Sequence, residues 1–226
     1  MNLTKLLELT IASKEDNTKL LELEDLLKQY IAEETVKQKG GNKEKQRLLA
    51  ARRYLKESEK INMSRPALHG SWMIDGKQYI SNGYSGIELV SVIEGLKEIP
   101  KDIEPLKLLD VINDTEQKSK IKVDTPNITA LKIQLKNATA EAKAKKVKIN
   151  KIKSGLIKIG NSIIDVKLLL DTIAMFPTDK LEYYVSENRS YVLIKDDLGN
   201  RAIICPMKMT AEQYDNMDND NTDNVA

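Results

Sequence analysis

Five basic side chains, Lys45, Arg47, Arg52, Arg53 and Lys56, fall close together within one helical pattern. Lys45, Arg52 and Lys56 recur at spacings of seven and four, which places them on one stripe of an α-helix; Arg47 and Arg53 widen it. Lysines and arginines placed this way can neutralise phosphates without reading bases. On charge alone, a solvated helix face is the better explanation of such a stripe. The other reactive residue types assemble nothing. His69 is the only histidine and Cys205 the only cysteine, and neither has a partner at metal-ligand or nucleophile–base spacing. His69 reads as structural and Cys205 as a small apolar strand residue. Asp75, Asp165 and Asp171 read as turn or helix-face residues. Gly83, Gly86 and Gly95 are not followed by the Lys-Ser/Thr of a phosphate-binding loop. The expectation is a protein that is not an enzyme, with no metal site and no cofactor.

Charge is segregated along the chain despite a net value of only +2 over 226 residues. Residues 1–35 carry eight acids and four bases, while 36–60 carry nine bases and three acids. Residues 131–158 carry nine bases and one acid, and 210–226 carry five acids and no base. Such blocks suit a basic surface for a polyanion, flanked by acidic stretches that discourage indiscriminate binding. Hydrophobic residues make up 41%, enough for a core, but aromatics only 4%, so Leu, Ile and Val must supply its packing. Apolar runs fall short of a bilayer span, the N-terminus lacks signal-peptide character, and one cysteine forms no internal disulfide; a cytoplasmic location is expected, with no membrane partner.

The elements that must position the basic stripe follow from periodicity and punctuation. Two short helices are expected in 1–35, with Ser13 as an N-cap, and Gly40-Gly41 marks a boundary before a helix over 43–58. Its apolar stripe is Leu48, Ala51 and Leu55. A strand is expected in 64–74, a hairpin turn at Asp75-Gly76, a return strand over 77–81, a turn at Asn82-Gly83, and a strand over 87–93. Residues 107–113 suggest a short helix, and Thr125-Pro126 the cap and first turn of a long basic helix over 126–148. A strand over 156–159, a helix over 164–176 and three strands near 180–186, 190–195 and 201–207 complete the chain. Helix-then-strands therefore occurs twice, at 43–93 and 164–209.

Several motifs in these two stretches resemble the bacterial sliding clamp family, the β subunit of the replicative DNA polymerase. Arg65-Pro66-Ala67-Leu68-His69-Gly70-Ser71-Trp72 is similar to the family's Arg-Pro-x-Leu-x-Gly-Val-Leu segment, and Ser81-Asn82-Gly83-Tyr84 to the Thr-Asp-Gly-His turn that follows it. Ile163–Ile173 resembles the family's Phe-Asn-x-x-Tyr-Leu-Leu-Asp-Ala-Leu helix, and Ile203-Ile204-Cys205-Pro206-Met207-Lys208-Met209 its Met-Pro-Met-Arg-Leu terminus. The resemblance covers about half of the chain. It departs from the family at Cys205, at Met209 and at Ser85, which stands where an arginine is usual.

The resemblance implies an α+β fold, a clamp domain of two helix-plus-antiparallel-sheet halves, with added N-terminal helices and an inserted long helix. The expected division is a helical extension over 1–40, a clamp-like domain over 41–209 with an insertion at about 95–150, and a disordered acidic tail over 210–226. It implies a processivity factor of DNA replication, of the reduced kind a phage encodes, that binds duplex DNA through Lys45, Arg47, Arg52, Arg53, Lys56 and Lys167. A polymerase or other replication protein would dock at Ser81, Asn82, Gly83, Tyr84, Ile203, Ile204, Pro206, Met207 and Lys208. With one domain per chain, a ring would need about six copies joined head to tail. Two alternatives stay open: an interaction module that keeps the fold but forms no ring, and a helical DNA-binding regulator.

Overall fold

The computed structural model describes residues 17–149, 152–188 and 191–208. The helical turns expected near the start of the chain, Ser13 as the N-cap of the helix after them, and the acidic tail over 210–226 lie outside the described residues. The described chain is mixed α and β, with four α-helices and an antiparallel sheet of seven strands.

Helix α1 runs Asn17–Ile61 and is interrupted once, at Gly41, whose φ of 74° and ψ of −167° break the helical path. Glycine tolerates that conformation because it has no Cβ. The boundary foreseen near 40 is thus a single-residue break. A 3-10 turn over Pro66–Leu68 follows, so the strand expected from 64 starts only at β1, Ser71–Ile74. Pro66 sets the turn and removes a backbone donor, which excludes it from the ladder. Asp75 (φ 50°) and Gly76 (φ 76°) form a two-residue turn with both central residues left-handed, leading into β2, Lys77–Ser81. Asn82 Oδ1 accepts from the amides of Tyr84 and Ser85 at 2.9 and 2.8 Å and folds the next turn into β3, Ser85–Leu89. That strand starts and ends earlier than the expected 87–93.

Helix α2, Leu108–Lys118, outruns its expected span, and a three-residue strand unforeseen from sequence, β4 (Ile121–Val123), follows it. Helix α3 spans Ile128–Lys145. Its cap is Asn127, which accepts from the Ala130 amide at 3.1 Å; Thr125, the expected cap, instead donates to the Leu181 carbonyl. Strands β5 (Leu156–Ile159) and β6 (Ser162–Asp165) pair as a separate hairpin. The helix expected from 164 therefore begins later, as α4 (Val166–Ile173), capped by Asp165 on the Leu168 amide at 3.1 Å. Strands β7 (Leu181–Val185), β8 (Val192–Asp196) and β9 (Arg201–Ile204) close the fold.

The seven strands lie in the order β1-β2-β3-β9-β8-β7-β4. Exchanging the triplet β1-β2-β3 with β7-β8-β9 leaves the first six in the same order, with β3 and β9 antiparallel at the centre. Strand alternation sorts the faces. Ile80, Ile87, Leu89, Val192, Ile194, Ala202 and Ile204 join Leu48, Ala51, Tyr54 and Leu55 of α1 and Val166 and Leu169 of α4 in one core. Both helices thus pack on the same face. Each such buried aliphatic contributes roughly 1.5–3 kcal/mol. Trp72, Tyr79, Leu193 and Ile203 form a second core on the opposite face, covered by Leu108 and Ile112 of α2. Tyr54 ties the first layer together: its hydroxyl lies 2.6 Å from Ser85 Oγ, which Thr172 of α4 also meets at 3.3 Å.

The segment between β3 and β5 reaches both ends of the six-strand array, at β1 through Ser71 alone. Residues 97–99 run beside β1, with Ser71 N donating to Lys97 O (2.8 Å) and Ile99 N to Ser71 O (3.0 Å). Strand β4 pairs with β7 at the other end.

Candidate functional site

The face bearing α1 and α4 also carries α3, packed against α4. The three helices form a valley: α4 is the floor, α1 and α3 the walls, and the open cavity between them measures about 660 Å³. Lys43, Gln46, Arg47 and Arg53 line it from α1, Lys167, Leu170 and Asp171 from α4, and Ile128, Lys132 and Leu135 from α3.

The six basic residues expected to meet DNA have unequal fates. Arg47 departs most from expectation: its side chain is 2% exposed. Its Nε donates to the Met175 carbonyl (2.8 Å), Nη2 to the Ser91 carbonyl (2.7 Å), and Nη1 to Glu44. Position 47 shares its helix face with the core residues Leu48, Ala51 and Tyr54, so the guanidinium bolts α1 to the end of α4 and to the loop after β3. It is not available to a phosphate. Lys45 is bonded to Glu34 at 2.8 Å. Arg52 donates to the Gly95 carbonyl at 3.2 Å. Arg53, exposed, pairs with Asp171 at 2.9 Å, and Lys167 bridges Asp171 and Glu57 across the two helices. Burial lowers the Lys167 pKa, but Asp171 and Glu57 outweigh it and hold the ammonium above its ordinary value. Lys56 is exposed. Sequence spacing reveals the stripe but not these acids, which arrive from a neighbouring helix or from elsewhere on the same one.

The residues expected to hold a partner are only partly brought together. Ser81, Gly83, Tyr84 and Ile203 line a cleft of about 250 Å³, joined by Arg65, Leu106, Leu108 and Tyr191. The Cys205 amide donates to the Tyr84 carbonyl at 2.8 Å, so turn and terminal strand meet within one domain. Asn82 spends its side chain folding the turn. Ile204 points through the sheet into the core under α1 and α4, because successive strand residues face opposite ways. Met207 is drawn off to Leu156 and Ile163 on the β5–β6 hairpin, its amide bonded to the Ile163 carbonyl. Pro206 is half-buried and Lys208 exposed, and neither lines the cleft. Leu106 and Leu108, unforeseen from sequence, form much of its wall.

Beneath α2 lies an ionic network that no spacing rule announces. Glu88, with no exposed side-chain surface, accepts from Lys77 (2.9 Å), Tyr79 (2.9 Å) and Arg201 (2.8 Å). Arg201 and Lys195 both reach Glu116 of α2. Burial pushes the Glu88 carboxyl up, but Arg201, Lys77 and Tyr79 more than offset it and hold the acid below the usual range. His69, placed after the 3-10 turn and not inside a strand, bonds the Asn62 carbonyl through Nε2 at 2.8 Å. Burial raises the Cys205 thiol pKa, which disfavours the reactive thiolate. Among the described residues no cluster of His, Cys, Asp and Glu could hold a metal ion, and no helix is long and apolar enough to cross a membrane. Comparison of the chain with protein-family models, with curated proteins and with solved structures found no match.

Proposed function

We propose that this protein is a clamp-fold accessory of DNA replication that lies along duplex DNA through its helical face, without reading sequence, and holds a replication protein at the cleft beside β3 and β9. The observation that carries this reading is the interchangeable pair of strand triplets with α1 and α4 on one and the same face. That arrangement agrees with the clamp-like motifs in both halves of the sequence. It also leaves a helical layer bearing Arg53, Lys56 and Lys167 as the surface offered to phosphates. Binding of this kind draws on counterion release and needs no aromatic or base-reading side chain.

Strand β4 along β7, with the contact of 97–99 at Ser71 of β1, favours flanking DNA over encircling it, since subunits that join edge to edge need open strands. The same observation supports a second reading, a module of this fold that binds a replication protein and no DNA. Filter binding with two unrelated duplexes over a salt series separates the two. The R52E/R53E/K56E variant is expected to weaken both duplexes alike and to flatten the dependence of log affinity on log salt by roughly one unit per lost phosphate contact. Failure of the wild-type protein to bind either duplex at low salt selects the module.

A further inference from the structure

We infer that α3, the helix inserted between the two halves, is the principal phosphate-contacting element of the helical face, through Lys132, Lys136 and Lys143. This rests on the reading of the helical face as a duplex-binding surface and changes which element does the binding. Lys56 apart, the charges at the valley on α1 and α4 are largely spent within the protein: Arg47 is buried, and Arg53 and Lys167 share Asp171, with Glu57 as a second acid for Lys167. Any phosphate arriving there competes with carboxylates already in place.

On α3 the balance is opposite. Lys132, Lys136 and Lys143 are exposed, and among the described residues no acid meets them. The lone acid of 131–158, Glu141, is turned to Lys145 and Ser154. At 3.6 residues per turn the three lysines fall within about 40° of one another, and at 1.5 Å per residue they span about 16 Å of helix axis. Duplex DNA presents one charge per about 1.7 Å, so the stripe meets several phosphates at once. Its direction is fixed by its neighbours. Gln134 faces β5, donating to the Leu156 carbonyl, whereas Lys132 and Leu135 line the valley. Lys132 therefore stands at the valley, and Lys136 and Lys143 continue its exposed stripe along the helix beyond it.

A bilayer surface is the poorer fit. A helix lying on lipid must bury its apolar face there. Leu131, Ala138 and Ala142 of α3 are already buried in the domain and are not free to enter lipid.

Full-length protein, with a K132E/K136E/K143E variant and a K101E/K118E/K120E control of equal charge change, is titrated with two unrelated duplexes over a salt series. The α3 variant is expected to lose roughly a hundredfold or more in affinity at 0.1 M salt and to flatten the log–log slope by nearly three units. The control should change little, and thermal melts should show all three proteins folded. A milder K132Q/K136Q/K143Q variant should show a smaller loss in the same direction. If the α3 variant binds like wild type while R52E/R53E/K56E does not bind, the inference fails and the duplex-binding reading stands. If wild-type protein binds no duplex, both fall. Lysine-dependent binding to anionic phospholipid vesicles without duplex binding overturns the DNA assignment in favour of a membrane.

Discussion

At the scale of single residues, the charges that matter most for the fold are the ones a solvent-facing interpretation would assign to function. Arg47 satisfies two backbone carbonyls and a carboxylate with one planar guanidinium, a geometry lysine cannot reproduce. Replacing it with alanine leaves the Ser91 and Met175 carbonyls without this donor, and chemical denaturation should show a loss of about 1–3 kcal/mol. Arg47→Lys should recover only part of that. Glu116 makes a second prediction. Its bond to Lys195 leads in holding the carboxyl below its ordinary range; burial opposes, and Arg201 adds to the depression. A carboxylate depressed in the folded state stabilises at pH above the ordinary glutamate value of about 4.3 and loses that contribution as pH falls through its folded value. Thermal melts between pH 7 and pH 3 should therefore show a steeper acid-side decline in wild type than in Glu116→Gln. Parallel curves would place the acid sensitivity elsewhere.

At the scale of elements, α2 is held by one close contact and one ionic network. Gly86, on β3 opposite Ile203, has room for no side chain: a Cβ there would lie 2.2 Å from Leu108 Cδ1. Leu108 is a flexible side chain, so Gly86→Ala should displace α2 without unfolding the sheet, at a cost of about 1–3 kcal/mol. Hydrogen exchange localises the effect: amides of α2 should lose protection while those of β2, β3 and β9 keep it. The segment guarding β1 depends on another glycine. A Cβ on Gly70 would lie 2.6 Å from the backbone of Glu98 and Ile99, and a backbone cannot rotate away as a leucine can.

At the scale of the whole molecule, covered edges decide how copies meet. With 97–99 bonded to Ser71 at the start of β1 and the three-residue, lysine-bearing β4 along β7, the edges among the described residues are short. Sedimentation at micromolar concentration should find a monomer. Gly70→Ala, by forcing 97–99 from β1, should introduce concentration-dependent association. A ring-sized wild-type species would instead mean that subunits join without using these edges.

Local chemistry was enough to mark the punctuation of this chain: the Asp75-Gly76 turn, the Asn82-Gly83 turn, the break at Gly41, and strands β2 and β5 with their bounds. Each depends on backbone conformations or alternations that a few neighbouring residues dictate. The basic stripe on α1 was legible for the same reason, as was the excess of lysine that became α3. Only the tertiary structure decided how those charges are partnered, because Asp171 and the Ser91 and Met175 carbonyls reach α1 from segments remote in sequence, as Lys167 does to Glu57. It also decided β4, three residues too short to signal a strand, and the split of Ile203 from Ile204 between two cores. Those outcomes follow from which surfaces meet across the sheet, and adjacency in the chain carries no record of that.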